Sequence, residues 1–194
     1  LLSPVQSAYR CSYSTESAVL KVLSDFYEAA DRKMVTLLGL LDLSSAFDTV
    51  DHLILFDRLL HECGIGGHVL KWLTNRTVCV HFSGLTSETV PIPYGVPQGS
   101  VLGPVIFILY VAGVIHVADK HGFSAHSYAD DLQIYDHSLQ TTCSSLVERM
   151  STCIAEIKNW MASNRLKLNP SKTEVIWLGS TYRLKHCLDE ELQI

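Results

Sequence analysis

The sequence has no basic surplus. Lys and Arg number 15 against 20 Asp and Glu, for a net charge of −5. A nucleic-acid binder usually carries a surplus of positive charge. Any such role here needs a local basic surface, or one supplied by segments outside this chain. Nine His add positive charge only where they are protonated. There is no CxxC pair among the six Cys (Cys11, Cys63, Cys79, Cys143, Cys153, Cys187) and no visible signal peptide, so reduced, buried thiols are expected. His61, Cys63, His68, Cys79 and His81 lie near one another, but their spacing fits no standard zinc pattern. Internal repeats and low-complexity tracts are also missing. So is an initiator Met: the chain opens on Leu1-Leu2-Ser3-Pro4, as expected of a piece of a longer protein.

What is present argues for one ordered domain. At 194 residues, with 47% hydrophobic and 18% charged residues, the chain can bury a sizeable core. Residues 101–118 are nearly all apolar and about one membrane span long. Gly103, Pro104, Gly113 and His116 interrupt that run, and no basic flank orients it, so a core helix and no membrane are expected.

Taken in order, Ser14 or Thr15 can cap a helix over residues 15–31 whose apolar positions recur at helical spacing. Residues 34–43 form an apolar run suited to a strand buried on both faces. Asp51 can cap the next helix, with Gly64 as its stop, and a short helix follows over 69–73. Residues 77–82 and 89–92 suggest a hairpin around Ser83-Gly84. Ser100 can cap the apolar helix, which ends by Gly122. Residues 123–128 and 132–135 suggest strands joined by a tight turn at Ala129-Asp130. A long amphipathic helix starts at Ser138 or Thr141 and runs to about 163. A basic loop over 164–172 precedes a strand over 173–178, and the remaining residues are mixed in character. The uneven alternation favours an α+β fold, a mainly antiparallel sheet with helices on one face.

Two placements of acid are anomalous. Asp42 ends a buried run, where a carboxylate is expensive without a partner. Asp130 and Asp131 sit side by side at a hairpin tip, where like charges repel unless a divalent cation is held. If the strand ending at Asp42 lies beside that hairpin, the three acids make a carboxylate cage. Polymerases use such a cage for two Mg²⁺ ions about 3.5–4 Å apart.

These residues carry a family resemblance. Leu41-Asp42-Leu43-Ser44-Ser45-Ala46-Phe47-Asp48-Thr49-Val50-Asp51-His52 resembles motif A of reverse transcriptases. Gly95-Val96-Pro97-Gln98-Gly99-Ser100-Val101-Leu102-Gly103-Pro104 resembles motif B, and Tyr128-Ala129-Asp130-Asp131 resembles motif C. Leu166-Lys167-Leu168-Asn169-Pro170-Ser171-Lys172-Thr173-Glu174 resembles motif D. Their order and wording are similar to those of non-LTR (LINE-type) retrotransposon reverse transcriptases, over about residues 6–179. The resemblance implies a right-hand polymerase palm with partial fingers: fingers over about 1–33, palm over about 34–180, and no thumb.

The resemblance also implies roles. Asp42, Asp130 and Asp131 would hold two Mg²⁺ ions (or Mn²⁺) and be catalytic. Phe47 would be the aromatic gate that selects dNTPs. Gln98 and Gly99 would shape the nucleotide pocket. Lys172 would lie near the triphosphate and donate a proton to pyrophosphate. Arg10 would touch the template, and Asp48 would make a structural hydrogen bond. The implied activity is RNA-directed DNA synthesis, with an RNA template, a DNA primer and dNTPs as partners. The implied location is intracellular, in the cytoplasm and nucleus as a retroelement particle. A catalytically inert palm remnant, at most binding RNA or a protein partner, is the alternative.

The chain departs from the family in several places. The basic fingers strands, the thumb and an endonuclease domain are missing from it. The stretch between Trp72 and Leu73 is a few residues shorter than in relatives. Val111-Ala112-Gly113 stands where relatives carry a polar Asn-Asp turn.

Overall fold

The apolar run after Lys33 becomes the centre of the sheet. In the computed structural model, which describes residues 2–185 and 187 apart from Ser45, Asn75 and Gln98, it forms strand β1, Val35–Leu41. Before it, helix α1 spans Thr15–Asp31, with Ser14 and Ser17 forming a reciprocal capping box. After it come α2, His52–His61, capped by the Asp51 carboxylate on Leu53 N and Ile54 N, and α3, His68–Leu73. Four short strands follow: β2 Thr77–Val78, β3 His81–Phe82, β4 Leu85–Thr86 and β5 Val90–Pro91. Then come α4 Leu102–Val111, α5 Val114–Lys120, β6 Ser124–Tyr128 and β7 Asp131–Ser138. Helix α6 Cys143–Ser163, β8 Glu174–Leu178 and α7 Thr181–Leu184 complete the described elements.

The main sheet has the order β6-β7-β1-β8, and its ladders are antiparallel. Side-chain alternation divides its faces. Leu37, Leu41, Leu132 and Ile134 point into a core shared with α4, α5 and α6. Gly39 lies on that face too: a Cβ there would stand 3.2 Å from Ile134 and 3.6 Å from the Met150 sulfur. Helices do not lie on that face alone. Tyr135 points the other way and donates a 2.6 Å hydrogen bond to Asp25 of α1. Thus α1 covers part of the second face, near the Val35 end of β1. The Asp42 end of that face stays uncovered by α1.

The apolar run over 101–118 differs from the single helix expected. It breaks into α4 and α5 at Ala112-Gly113. The segment Leu102–Lys120 passes for a membrane span by length and composition, with a mean hydropathy of 1.9, yet it packs inside the protein. Phe107, Tyr110 and Ala118 are fully buried. At the junction Ala112 and Gly113 keep right-handed helical backbone angles, and a Cβ on Gly113 would lie 2.8 Å from Trp160 of α6, so only glycine fits there. Ser100 does serve the start of α4, accepting from Gly103 N at 2.9 Å.

The expected hairpin around Ser83-Gly84 is present but interrupted. β3 pairs with β4 at its tip and β2 with β5 at its base, so Cys79-Val80 and residues 87–89 fall outside the ladders. At the start of α6 neither Ser138 nor Thr141 is the cap. Thr142 occupies that position without a side-chain capping bond, its hydroxyl donating instead to Leu139 O, after a 3₁₀ turn over Gln140–Thr142.

The thiols also differ from expectation. Cys143 and Cys187 are joined by a disulfide, while Cys11, Cys63, Cys79 and Cys153 are free. Cysteines 44 positions apart meet because α6 and the chain after β8 converge beside Val35. No local spacing signals that meeting.

Candidate active site

Sheet register brings the distant acids together. Leu41 pairs with Leu132, the last rung of the β1–β7 ladder. Asp42 follows Leu41 and Asp131 precedes Leu132, so the two stand across from each other at the end of that ladder. Asp130 is the second residue of the β6–β7 turn, between the paired Tyr128 and Asp131. Like Leu38 and Leu40, Asp42 falls on the face that α1 leaves open. There a cavity of about 360 Å³ is lined by Leu40, Asp42, Asp131, Gln133, Lys172 and Glu174.

Their charges are felt. Partial burial pushes the Asp131 carboxyl above the usual carboxylate range, and the negative charges of Asp130 and Asp42 push it further. Lys172 pulls in the opposite direction. The Lys172 ammonium lies 3.7 Å from Asp42 Oδ2, with most of its side chain in solvent. One Lys thus offsets part of the repulsion among three acids.

The loop before β8 sets Asp42 in place. Leu43 forms an antiparallel bridge with Leu168, and Ser44 N donates to Lys167 O at 2.8 Å. Asn169 N donates to Asp42 O at 2.9 Å, and Asn169 Nδ2 donates to Asp42 Oδ2 at 3.2 Å. Sequence reasoning missed Asn169 as a functional residue. Its signal was its place in the basic loop, directly before Pro170.

Phe47 belongs to a second cavity, of about 340 Å³, lined by Phe47, Pro97, Gly99 and Pro104. Its ring packs at a tilt against Phe107 of α4, with centroids 4.7 Å apart. The loop carrying Gly99 is fastened to the loop carrying Phe47. Val96 N donates to Phe47 O and Gly95 N to Val50 O, each at 2.8 Å, and His52 Nε2 donates to Gly95 O at 2.7 Å. Gly95 has φ +80°, and a Cβ there would meet Asp48 O at 3.2 Å, so a glycine is required. His52 is a further residue that sequence reasoning did not single out. Gln98, expected in this pocket, lies outside the described residues.

Arg10 is engaged within its own loop. Its Nη1 donates to Ser3 O at 2.9 Å and to Gln6 O at 3.1 Å, and its guanidinium lies 4.5 Å over the Tyr13 ring.

The donor chemistry of Asp42, Asp130 and Asp131 suits a hard divalent cation, because carboxylate oxygens are its preferred ligands and crowding makes them costly without one. Among the described residues, no three His, Cys, Asp or Glu side chains close around one point as a ready cage. The acids converge without enclosing.

Comparison with known proteins agrees with this architecture. Residues 1–184 match the family described as reverse transcriptase (RNA-dependent DNA polymerase). The chain is 30% identical over 182 residues to the probable RNA-directed DNA polymerase from transposon BS of Drosophila melanogaster, covering 89% of this chain and 20% of that protein. It is 28% identical to the RNA-directed DNA polymerase from mobile element jockey of the same fly, covering 80% of this chain and 18% of that protein. It therefore spans about a fifth of the length of these relatives. Among solved structures, apo telomerase from Candida tropicalis, truncated from its C-terminal domain, superposes with a TM-score of 0.57 at 15% identity. That match covers 90% of this chain and 36% of the other. Telomerase from Candida albicans, in complex with a fragment of telomeric RNA, gives a TM-score of 0.51 at 15% identity, covering 88% of this chain and 31% of the other. These two show a shared fold, the α+β palm. The chain belongs to the reverse transcriptase family, on its LINE-type branch.

Proposed function

We propose that this chain supplies the palm, with part of the fingers, of an RNA-directed DNA polymerase. It would extend a DNA primer on an RNA template from dNTPs, inside the cell, as part of a retroelement protein. The observation that carries this is the end of the β1–β7 ladder. It sets Asp42 across from Asp131 in an open cavity, with Lys172 at its edge.

The reaction forms a bond between the primer 3′-oxygen and the α-phosphorus of the dNTP. The bond from that phosphorus to pyrophosphate breaks. Asp42, Asp130 and Asp131 would hold Mg²⁺, which supplies a lowered pKa at the attacking hydroxyl and neutralises charge on the leaving pyrophosphate. Lys172, whose ammonium lies 3.7 Å from Asp42 Oδ2, would turn to an incoming triphosphate and give a proton to the departing pyrophosphate. Phe47, in contact with Phe107 and lining a cavity with Gly99 and Pro97, would be the gate against which a ribose 2′-hydroxyl collides. Gly99 would let the backbone approach the nucleotide closely. Arg10 would reach the template with the guanidinium nitrogens that Ser3 and Gln6 leave unused.

Primer extension with Mg²⁺, dNTPs and an RNA template tests this. A longer chain that includes the neighbouring parts of the parent protein should extend the primer. The same chain carrying Asp130→Asn should lose activity on the order of 10²-fold or more while keeping its fold. Extension undiminished by Asp130→Asn would overturn the assignment. Failure of the longer chain with all three acids intact would favour the inert remnant.

A further inference from the structure

The residues before α1 hold the acidic turn from beneath. Gln6 forms a parallel bridge with Ser127, the residue two before Ala129. Ser7 N donates to Ser127 O at 2.9 Å, and Ser127 N donates to Val5 O at 3.0 Å. This short segment covers the outer edge of β6, the edge strand of the sheet.

The Gln6 side chain goes further than the backbone. It is 2% exposed, and every polar atom of its amide is used. Oε1 accepts from Ala129 N at 3.2 Å and from Ala8 N at 2.9 Å. Nε2 donates to Ser127 Oγ at 3.1 Å and to Ala129 O at 3.4 Å. One side-chain amide thus contacts both the N–H and the C=O of Ala129. That residue immediately precedes Asp130.

Ala129 needs holding. Its φ is +58°, in the left-handed region that a residue with a Cβ disfavours. Asp130 is not among the positive-φ residues, so of the two central residues of this turn only Ala129 has a positive φ. Glycine is the usual residue there. An alanine persists in such a conformation only when its surroundings over-determine it. Gln6 supplies those surroundings.

We propose that Gln6 is a positioning residue for the acidic turn: by gripping the Ala129 peptide it fixes the turn that carries Asp130 and holds the adjoining Asp131 across from Asp42. This rests on the assignment of those acids as the cation site. Gln6 touches no reacting atom, and it acts through the backbone that carries the carboxylates.

The test uses the 194-residue chain. Hydrogen exchange of the turn is measured without metal, and Mn²⁺ binding is measured by the paramagnetic signal of the free ion. Gln6→Met keeps the side chain's size and removes its hydrogen bonds. Gln6→Asn keeps the amide but is one methylene too short to reach Ala129, and serves if Gln6→Met does not fold. Ser7→Ala is the control: it loosens the same segment by removing the 3.1 Å contact of Ser7 Oγ with His126, without touching the turn. In either Gln6 variant, exchange across 127–132 should accelerate and Mn²⁺ binding should weaken roughly 3- to 10-fold, the scale of one or two lost hydrogen bonds. Ser7→Ala should change neither. Unchanged exchange or Mn²⁺ affinity in the Gln6 variants, or equal effects from Ser7→Ala, would overturn the proposal. If the unaltered chain binds no Mn²⁺, the cation-site assignment fails instead, and metal-free exchange at the turn still reports whether Gln6 holds it.

Discussion

Asn169 grips Asp42 at both its backbone and its side chain. Its N–H donates to Asp42 O at 2.9 Å, and its Nδ2 donates to Asp42 Oδ2 at 3.2 Å. The same residue organises its own loop, since its Oδ1 accepts from Ser171 N and Ser171 Oγ. Asn169→Ala should therefore cost about 1–2 kcal/mol of stability. It should also weaken Mn²⁺ binding, because Asp42 loses its orientation. Asn169→Ser, with a shorter arm, should recover little of that loss. Chemical denaturation and Mn²⁺ titration of both variants check this.

Phe47→Ala should act on two properties. Loss of the Phe107 ring contact removes about 0.5–1.5 kcal/mol beyond area burial. Loss of the ring also opens the cavity it shares with Pro97, Gly99 and Pro104. Within the polymerase assignment, incorporation of rNTPs should then rise relative to dNTPs. Unchanged sugar discrimination would count against Phe47 as the gate.

Gly113→Ala should destabilise the fold. The added methyl meets Trp160 at 2.8 Å, and the Arg58 guanidinium lies against the same indole, 5.5 Å from its ring. Overpacking of this kind costs about 1–3 kcal/mol. A smaller ring at position 160, as in the double variant Gly113→Ala with Trp160→Phe, should recover part of that cost. Denaturant midpoints of the single and double variants give the coupling.

Stability should fall as pH drops below neutrality, in part through His126. Burial holds its imidazole below its ordinary value of 6.5, with Lys21 adding to the effect and Asp25 opposing it. Ser7 Oγ contacts its Nε2 at 3.1 Å. The unfolded chain therefore binds a proton at higher pH than the folded one does. This contribution is complete above the ordinary value and is lost as pH falls through it towards the depressed one. His126→Gln should flatten the fall in urea midpoint between about pH 7 and pH 5.

Much of the fold was legible locally. Helical spacing and the caps at Ser14 and Asp51 marked α1 and α2, and both caps form. The Ala129-Asp130 turn between two strands also reads directly from sequence, because alternation and turn chemistry are short-range signals. The anomalies of Asp42 and of Asp130-Asp131 were equally visible, since a charge inside an apolar run breaks a local rule. Less was legible where long-range packing decides. The need for a glycine at position 113 depends on Trp160 in another helix. The Cys143–Cys187 bond depends on where the chain after β8 arrives.

By itself, then, the sequence determined which residues are acidic, which strands deliver them and which turn carries the pair. It also carried the motifs that mark the family. Tertiary structure alone decided that Leu41 pairs with Leu132, and so that Asp42 faces Asp131. A shift of one residue in that register would turn Asp131 to the opposite face. Tertiary structure also recruited Asn169, His52 and Gln6. Each spends its side chain on backbone or carboxylate atoms far away in the chain, and no spacing rule in a single sequence reports such a partner.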